Sequence, residues 1–174
     1  MGKTAAEFLA ELAKNKEYQS MKNAKDAHFS ALEKSYAEDE LALVKELNNA
    51  GFEVQSVWDL ANSKNDYLLA EPILVSHLKA NHHPKTLSGI ARALAVPEFA
   101  RNSELWCLLV KLYESVKSDA DISIPEQRGA QTAIAIALEC LATDTRVDSL
   151  RKLIAANPNG DGIDWLRRRL KALS

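Results

Sequence analysis

Glycine and proline are scarce in this chain, with 6 and 5 residues in 174. A sandwich or barrel of many short strands spends both at its turns, so that shortage argues against an all-β domain. Aromatics amount to 6%. Only 2 cysteines occur, Cys107 and Cys140, and neither has a CxxC partner. Each lies in an apolar helical run and reads as a small buried hydrophobe in a reducing compartment; a bridge between the two is the remaining alternative. Long apolar runs are missing as well. None is longer than Ala133 to Leu138, which is too short to span a bilayer. No charge of one sign dominates: the formal net charge is -2, which excludes a wholly basic nucleic-acid binder. No nucleophile elbow, Walker loop or dinucleotide fingerprint is present. The opening Met-Gly-Lys-Thr turns amphipathic at once, without a secretory signal, and Ala6 stands where myristoylation favours Ser or Thr. The expectation is a cytoplasmic, non-enzymatic protein with no membrane segment, cofactor or metal.

What remains is rich in Ala, Leu, Glu and Lys and reads as helix. The organising stretch runs from Tyr67 to Leu94. Leu68, Leu69, Ile73, Leu74 and Leu78 recur at three- and four-residue spacings, as do Leu87, Ile90, Ala91 and Leu94. Asn81-His82-His83-Pro84 separates them, and Pro84 can open the second helix because its missing N–H is an orphan there. Pro72 falls inside the first and should bend it.

The rest of the chain follows the same pattern. Thr4-Ala5-Ala6-Glu7 is a capping box opening a short helix with Phe8, Leu9 and Leu12 on its apolar side. A long helix is expected from Lys16 to Ala50, with a possible break near Tyr36–Asp39. Its first half carries a thin stripe of Tyr18, Met21, Ala24, Phe29 and Leu32. Its second half, with Leu41, Leu43, Val44 and Leu47, is more apolar. Gly51 fits the C′ position with Phe52 folding back. Ser56 to Asp59 caps a short turn whose Trp58 anchors the connector in the core, and Asp66 caps the helix at Tyr67. Asn102 caps a helix from Ser103 to about Val116. Ser118 to Pro125 is the longest loop signal, followed by a helix over 126–142. Thr145-Arg146-Val147-Asp148 is a further capping box, and Asn157-Pro158-Asn159-Gly160 is a turn before the last helix.

An internal repeat is the strongest observation. Laying Leu87–Leu94 on Gln131–Leu138 matches Ile90 to Ile134, Ala91 to Ala135, Ala93 to Ala137 and Leu94 to Leu138, an offset of 44. That lies within the roughly 40–47 residues of HEAT and armadillo repeats. Leu78 precedes Ile90 by 12 and Ile154 precedes Leu166 by 12, whereas Leu112 precedes Ile134 by 22, so the middle pair carries an inserted loop. The expected fold is all-α: a right-handed α-solenoid of about three helix pairs, 66–95, 102–142 and 145–173, behind a helical N-terminal leader over 1–65. The expected core contains Leu74, Leu78, Ile90, Leu94, Leu109, Ile134, Leu138, Ile154, Leu166 and Leu170.

Three runs, Trp58 to Lys64, Tyr67 with Pro72 to Leu78, and Gly89 to Pro97, resemble small bacterial HEAT-repeat proteins. The similarity extends to Gly129–Leu138 and covers most of the chain after about Leu41. It implies an α-solenoid protein-binding scaffold, and some members of the family resemble immunity proteins that neutralise bacterial toxins. Asp59 beside Trp58 carries the alternative, a nucleic-acid-binding or base-processing protein, since some HEAT-like DNA glycosylases set aromatics and an acid around a damaged nucleotide. Trp58, Trp106 and Trp165 suit core packing, however, and the acidic front half opposes a DNA groove.

Charge suggests where a partner would bind. Residues 1–66 carry 8 Lys/Arg against 12 Asp/Glu, and residues 145–174 carry 7 against 3. Arg151, Lys152, Arg167, Arg168 and Arg169 form the candidate surface for a protein partner with an acidic surface, such as a toxin; capping of a terminal repeat explains the same residues without a partner. Arg92 is expected to pair with Glu71 or Glu104. His77, His82 and His83 lack further ligands at metal spacing, and His28 is remote, so Asn81–Pro84 reads as a solvated loop tip.

Overall fold

A computed structural model describes residues 4–5, 12–63 and 66–174, and helix is the only regular secondary structure among them. The Glu7 end of the first capping box, with Phe8 and Leu9, lies outside the described residues. The chain divides into two compact units, residues 1–38 and 39–174.

Helix α1 spans Lys16–Asn49. Asn15 caps it, its Oδ1 accepting from the N–H groups of Glu17 at 3.0 Å and Tyr18 at 3.1 Å. No break occurs at Tyr36–Asp39, because the segment contains neither Gly nor Pro. In the first unit its apolar stripe is open: Met21 is 68% exposed, and Tyr18 and Phe29 are exposed too.

In the second unit the end of α1 buries Leu43 and Leu47. Leu41, expected on that face, is 67% exposed, being off the buried 43/47 row. Gly51 has φ +92°, and the Phe52 N–H returns to the Leu47 carbonyl at 3.0 Å. That is the expected glycine termination. Helix α2, Val57–Ala61, opens with the Ser56/Asp59 capping box. A 3₁₀ turn over Leu68–Ala70 precedes α3, Glu71–Leu78. Asp66 Oδ1 accepts from Leu68 N–H at 3.0 Å, at the start of that turn. Pro72 therefore stands in the first turn of α3, where no N–H is needed, and the expected bend does not arise. The change of helix type also takes Leu69 off the apolar face, leaving it 86% exposed.

Helix α4 is Pro84–Ala93 and α5 is Ser103–Ser115, capped by Asn102 Oδ1 on the Leu105 N–H at 2.9 Å. The loop signal at 118–125 contains 3₁₀ turns over Asp119–Asp121 and Pro125–Gln127. Helix α6, Ala130–Leu141, starts later than expected, after Gly129 at φ +94°. The capping box at Thr145 does not form. Asp144–Arg146 is a 3₁₀ turn, and α7, Val147–Ala156, begins without a side-chain cap while Arg146 reaches the backbone of neighbouring elements. Helix α8 is Ile163–Leu173.

Helices α3 and α4, α5 and α6, and α7 and α8 pack as pairs, and α4, α6 and α8 touch in succession, with α2 against α4. Of the ten expected core residues eight are buried, and Ile154 and Leu170 are half-buried. Trp106 is buried; Trp58 and Trp165 are half-buried against the core. Both cysteines are free, but neither is buried as expected: Cys107 is exposed and Cys140 half-buried. The run Trp106-Cys107-Leu108-Leu109-Val110 is longer than one helix face, so a member must point outward.

Gly89 sets the approach of α4 to α2. A β-carbon there would collide with Val57 Cγ1 and meet Trp58 Nε1 at 3.0 Å. Gly89→Ala should lower unfolding stability by about 1–3 kcal/mol, despite alanine's better helix propensity. Urea denaturation measures this, and a stabilised variant would show that α2 yields freely.

Candidate functional site

Three of the five predicted C-terminal cations bond within the fold. Arg151 Nη1 pairs with Asp148 at 2.6 Å, and Arg167 Nη1 pairs with Asp164 at 2.9 Å while its Nη2 donates to the Pro158 carbonyl at 2.8 Å. Arg169 is half-buried, and its Nε and Nη2 donate to the Ala142 carbonyl at 3.2 and 2.6 Å, beyond the end of α6. Lys152 and Arg168 are exposed.

A second cationic group was not predicted. Trp58, Lys85, Ser88, Arg92, Arg128, Gly129, Thr132, Ala133 and Ile136 line an open groove of about 300 Å³ where α2, α4 and α6 meet. Lys85 Nζ stands 4.6 Å from the centre of the Trp58 ring. Such a cation over an indole face is worth about 0.5–1 kcal/mol when exposed. Arg92 pairs with neither expected acid. Glu71 accepts from Asn102 Nδ2 at 2.8 Å and Glu104 pairs with Lys79 at 2.6 Å, so Arg92 is left exposed in the groove. Asp59 is engaged in the α2 capping box and is absent from the groove lining. The signal missed in sequence is that Trp58, Lys85, Arg92 and Arg128 belong to three separate segments, which only the helix packing brings together.

The histidine loop is not a solvated tip. Asp39 Oδ2, from α1, accepts from the His83 N–H at 3.0 Å and lies 3.3 Å from His82 Nδ1. His82 Nε2 is 3.0 Å from His77 Nδ1, and His77 Nε2 is 3.4 Å from Glu46. The His77 and His82 side chains are 10% and 7% exposed. The result is a polar chain, with Asp39, His82 and His77 joined by hydrogen bonds and Glu46 within ion-pair distance of His77, and no group of three metal-ligating side chains occurs among the described residues. Both imidazole nitrogens of His82 are engaged within this chain. Burial pushes the Asp39 carboxyl up, but the Thr86 side chain, the His83 N–H and the His82 ring together hold its pKa below the ordinary 3.8. The Thr86 hydroxyl is buried without a well-formed hydrogen bond, so it acts on Asp39 as a nearby dipole.

A depressed carboxylate pKa stabilises the fold above its unfolded value, and that contribution disappears as pH falls through the folded value. Asp39→Asn should therefore lower the urea midpoint at pH 7, with the difference from the parent shrinking below about pH 4. A gap that persists undiminished at pH 3 would assign the effect to shape instead of charge. Among the described residues no helix is long and apolar enough to cross a membrane. No family model, curated protein or solved structure matches this chain.

Proposed function

We propose that this chain is a non-enzymatic protein-binding scaffold whose helix pairs stack in the manner of HEAT repeats, as a short right-handed α-solenoid, and whose partner presents an acidic surface. The observation that carries this reading is the groove at Trp58, Lys85, Arg92 and Arg128. Its lining combines those three cations with the apolar Ala133 and Ile136. The successive contacts of α4, α6 and α8 support the stacked arrangement, and the 44-residue match of Leu94 to Leu138 supports the repeat. An immunity protein acting on a toxin is the specific form that the family resemblance suggests. Two free thiols, one of them exposed, support a reducing compartment such as the cytoplasm.

Nucleic acid fits the groove less well. Base stacking needs a bare aromatic face, and Lys85 already stands over Trp58. The groove is also short, whereas a phosphate backbone is tracked by an extended cationic stripe.

The test compares a fluorescent, glutamate-rich helical peptide containing leucines with a single-stranded oligonucleotide of equal charge. The full chain should bind the peptide. Lys85→Glu with Arg92→Glu should weaken it at least about tenfold, which corresponds to about 1.4 kcal/mol. The melting temperature should fall by no more than about 2–4 °C, the loss expected from the Lys85–Trp58 contact. Lys152→Glu with Arg168→Glu, on the terminal pair, should do much less. Preference for the oligonucleotide, with a steep salt slope, would overturn the protein-binding reading.

A further inference from the structure

A separate cavity of about 320 Å³ lies on the other side of α4, lined by Ala80, Asn81, His82, Pro84, Leu87, Leu112, Val116, Lys117, Ile122, Gln127 and Ala130. Its walls are mostly aliphatic, from Leu87, Leu112, Val116 and Ile122. Its volume is at the lower end of the range for small-molecule sites.

One wall is the insertion. The first and last helix pairs are joined with a 12-residue spacing between matched apolar positions, and the middle pair with 22. The added residues are tied down at several points. Arg128 Nε and Nη2 donate to the Ile122 carbonyl at 3.1 and 2.8 Å, and the Gly129 N–H donates to Asp119 Oδ1 at 2.7 Å. The Asp119 N–H donates to Asp161 Oδ2 at 2.6 Å. The loop is thereby held over the cavity, with Ile122 and Gln127 lining it. The opposite wall is held too, because Asp39 and His77 fix His82.

The charge of an occupant follows from the lining. The ends of α3 and α5 and the starts of α4 and α6 come together around the cavity, so the positive and negative helix ends cancel to first order. Side chains then decide. No carboxylate lines the cavity, whereas Lys117 does, and Lys117 makes no ion pair among the described residues. Asn81 and Gln127 add amide groups, and His82 adds an imidazole edge.

We infer that the cavity bounded on one side by the 118–129 insertion is a binding site for a small apolar carboxylic acid, with its carbon body against Leu87, Leu112, Val116 and Ile122 and its carboxylate at Lys117. This inference does not rest on the protein partner proposed for the groove at Trp58, with which the cavity shares only the Arg128 tether.

Isothermal titration of the full chain with sodium octanoate tests it, with 1-octanol and octylamine as neutral and cationic controls. Octanoate should bind saturably, with a dissociation constant of roughly 0.1–1 mM, the range expected of a small ligand without further contacts. 1-Octanol should bind about fivefold to tenfold more weakly, and octylamine more weakly still. Lys117→Gln should bring octanoate to the level of the alcohol. Leu112→Trp should fill the cavity and abolish binding; if that variant fails to fold by far-ultraviolet circular dichroism, Ile122→Trp on the loop replaces it. Lys85→Glu with Arg92→Glu should leave octanoate binding unchanged. Absence of saturable binding, equal affinity for acid and alcohol, or survival of binding in the filled cavity would each overturn the inference. Loss of octanoate binding in the Lys85/Arg92 variant would place the acid in the groove and overturn it equally.

Discussion

Helix α6 cannot be exposed to water and cannot satisfy its own ends, and much of the second unit is arranged around that constraint. Seven of its side chains from Ala130 to Leu141 are buried apolar groups, and Glu139 is its one charged residue. It touches α4, α5 and α8. The last carbonyls of a buried helix lack intrahelical partners, and leaving one unmet costs about 1–3 kcal/mol. Arginines from later in the chain supply the donors. Arg146 Nη1 reaches the Leu141 carbonyl at 2.8 Å, and Arg169 reaches the Ala142 carbonyl. Arg146 also stacks over Trp106 at 4.9 Å, and burial lowers its pKa. Inside α6, the Gln131 amide donates to the Tyr113 carbonyl at 3.0 Å and accepts from the Asp161 N–H at 2.8 Å. One side chain thus joins the end of α5 to the approach to α8.

Acids do the complementary work at helix starts. Consecutive residues of α1 serve two different helices: Glu40 Oε2 accepts from Ser56 Oγ at 2.7 Å and from the Val57 N–H at 3.0 Å, and Asp39 accepts from His83 N–H at the start of α4. Negative charge at a helix N-terminus is favourable in its own right. Glu40 is 5% exposed, so it is tolerated only because those donors and the dipole are there. The histidine chain extends this logic sideways. Asp39 and Glu46 stand at its two ends, and the imidazoles between them connect α1, α3 and the start of α4.

Apolar periodicity carried the fold in the sequence, and non-local capping is what escaped it. Leu74, Leu78, Ile90, Leu94 and Leu138 are readable because burial demands only spacing. Local caps were readable where the motif is self-contained, as with Ser56/Asp59 and Asn102. Thr145 failed because Arg146, needed by Leu141 and by the Asn102 carbonyl at 3.1 Å, turns the backbone another way. Asp39 and Glu40 look like ordinary surface acids in a helix, and no window of sequence shows donors that lie tens of residues away. The candidate sites divide in the same way. The C-terminal arginines are conspicuous as a run, yet three of the five predicted cations bond within their own fold. Lys85, Arg92 and Arg128 are inconspicuous singly, and become a groove only when α2, α4 and α6 pack.

Arg128 is where the groove and the cavity meet. It lines the groove, while its guanidinium holds the carbonyl of Ile122, a residue of the cavity wall. Planar guanidinium donation from two nitrogens to one carbonyl fixes direction as well as distance, so the charge that Arg128 presents to the groove depends on where the insertion sits. Removing it would loosen the loop and subtract a cation together, and the two effects would be inseparable in a single variant. Lys85 and Arg92 have no such second duty, and Lys117 has none toward the groove. The insertion is therefore more than a long connection between α5 and α6: it walls one concavity and, through one arginine, sets part of the charge of the other.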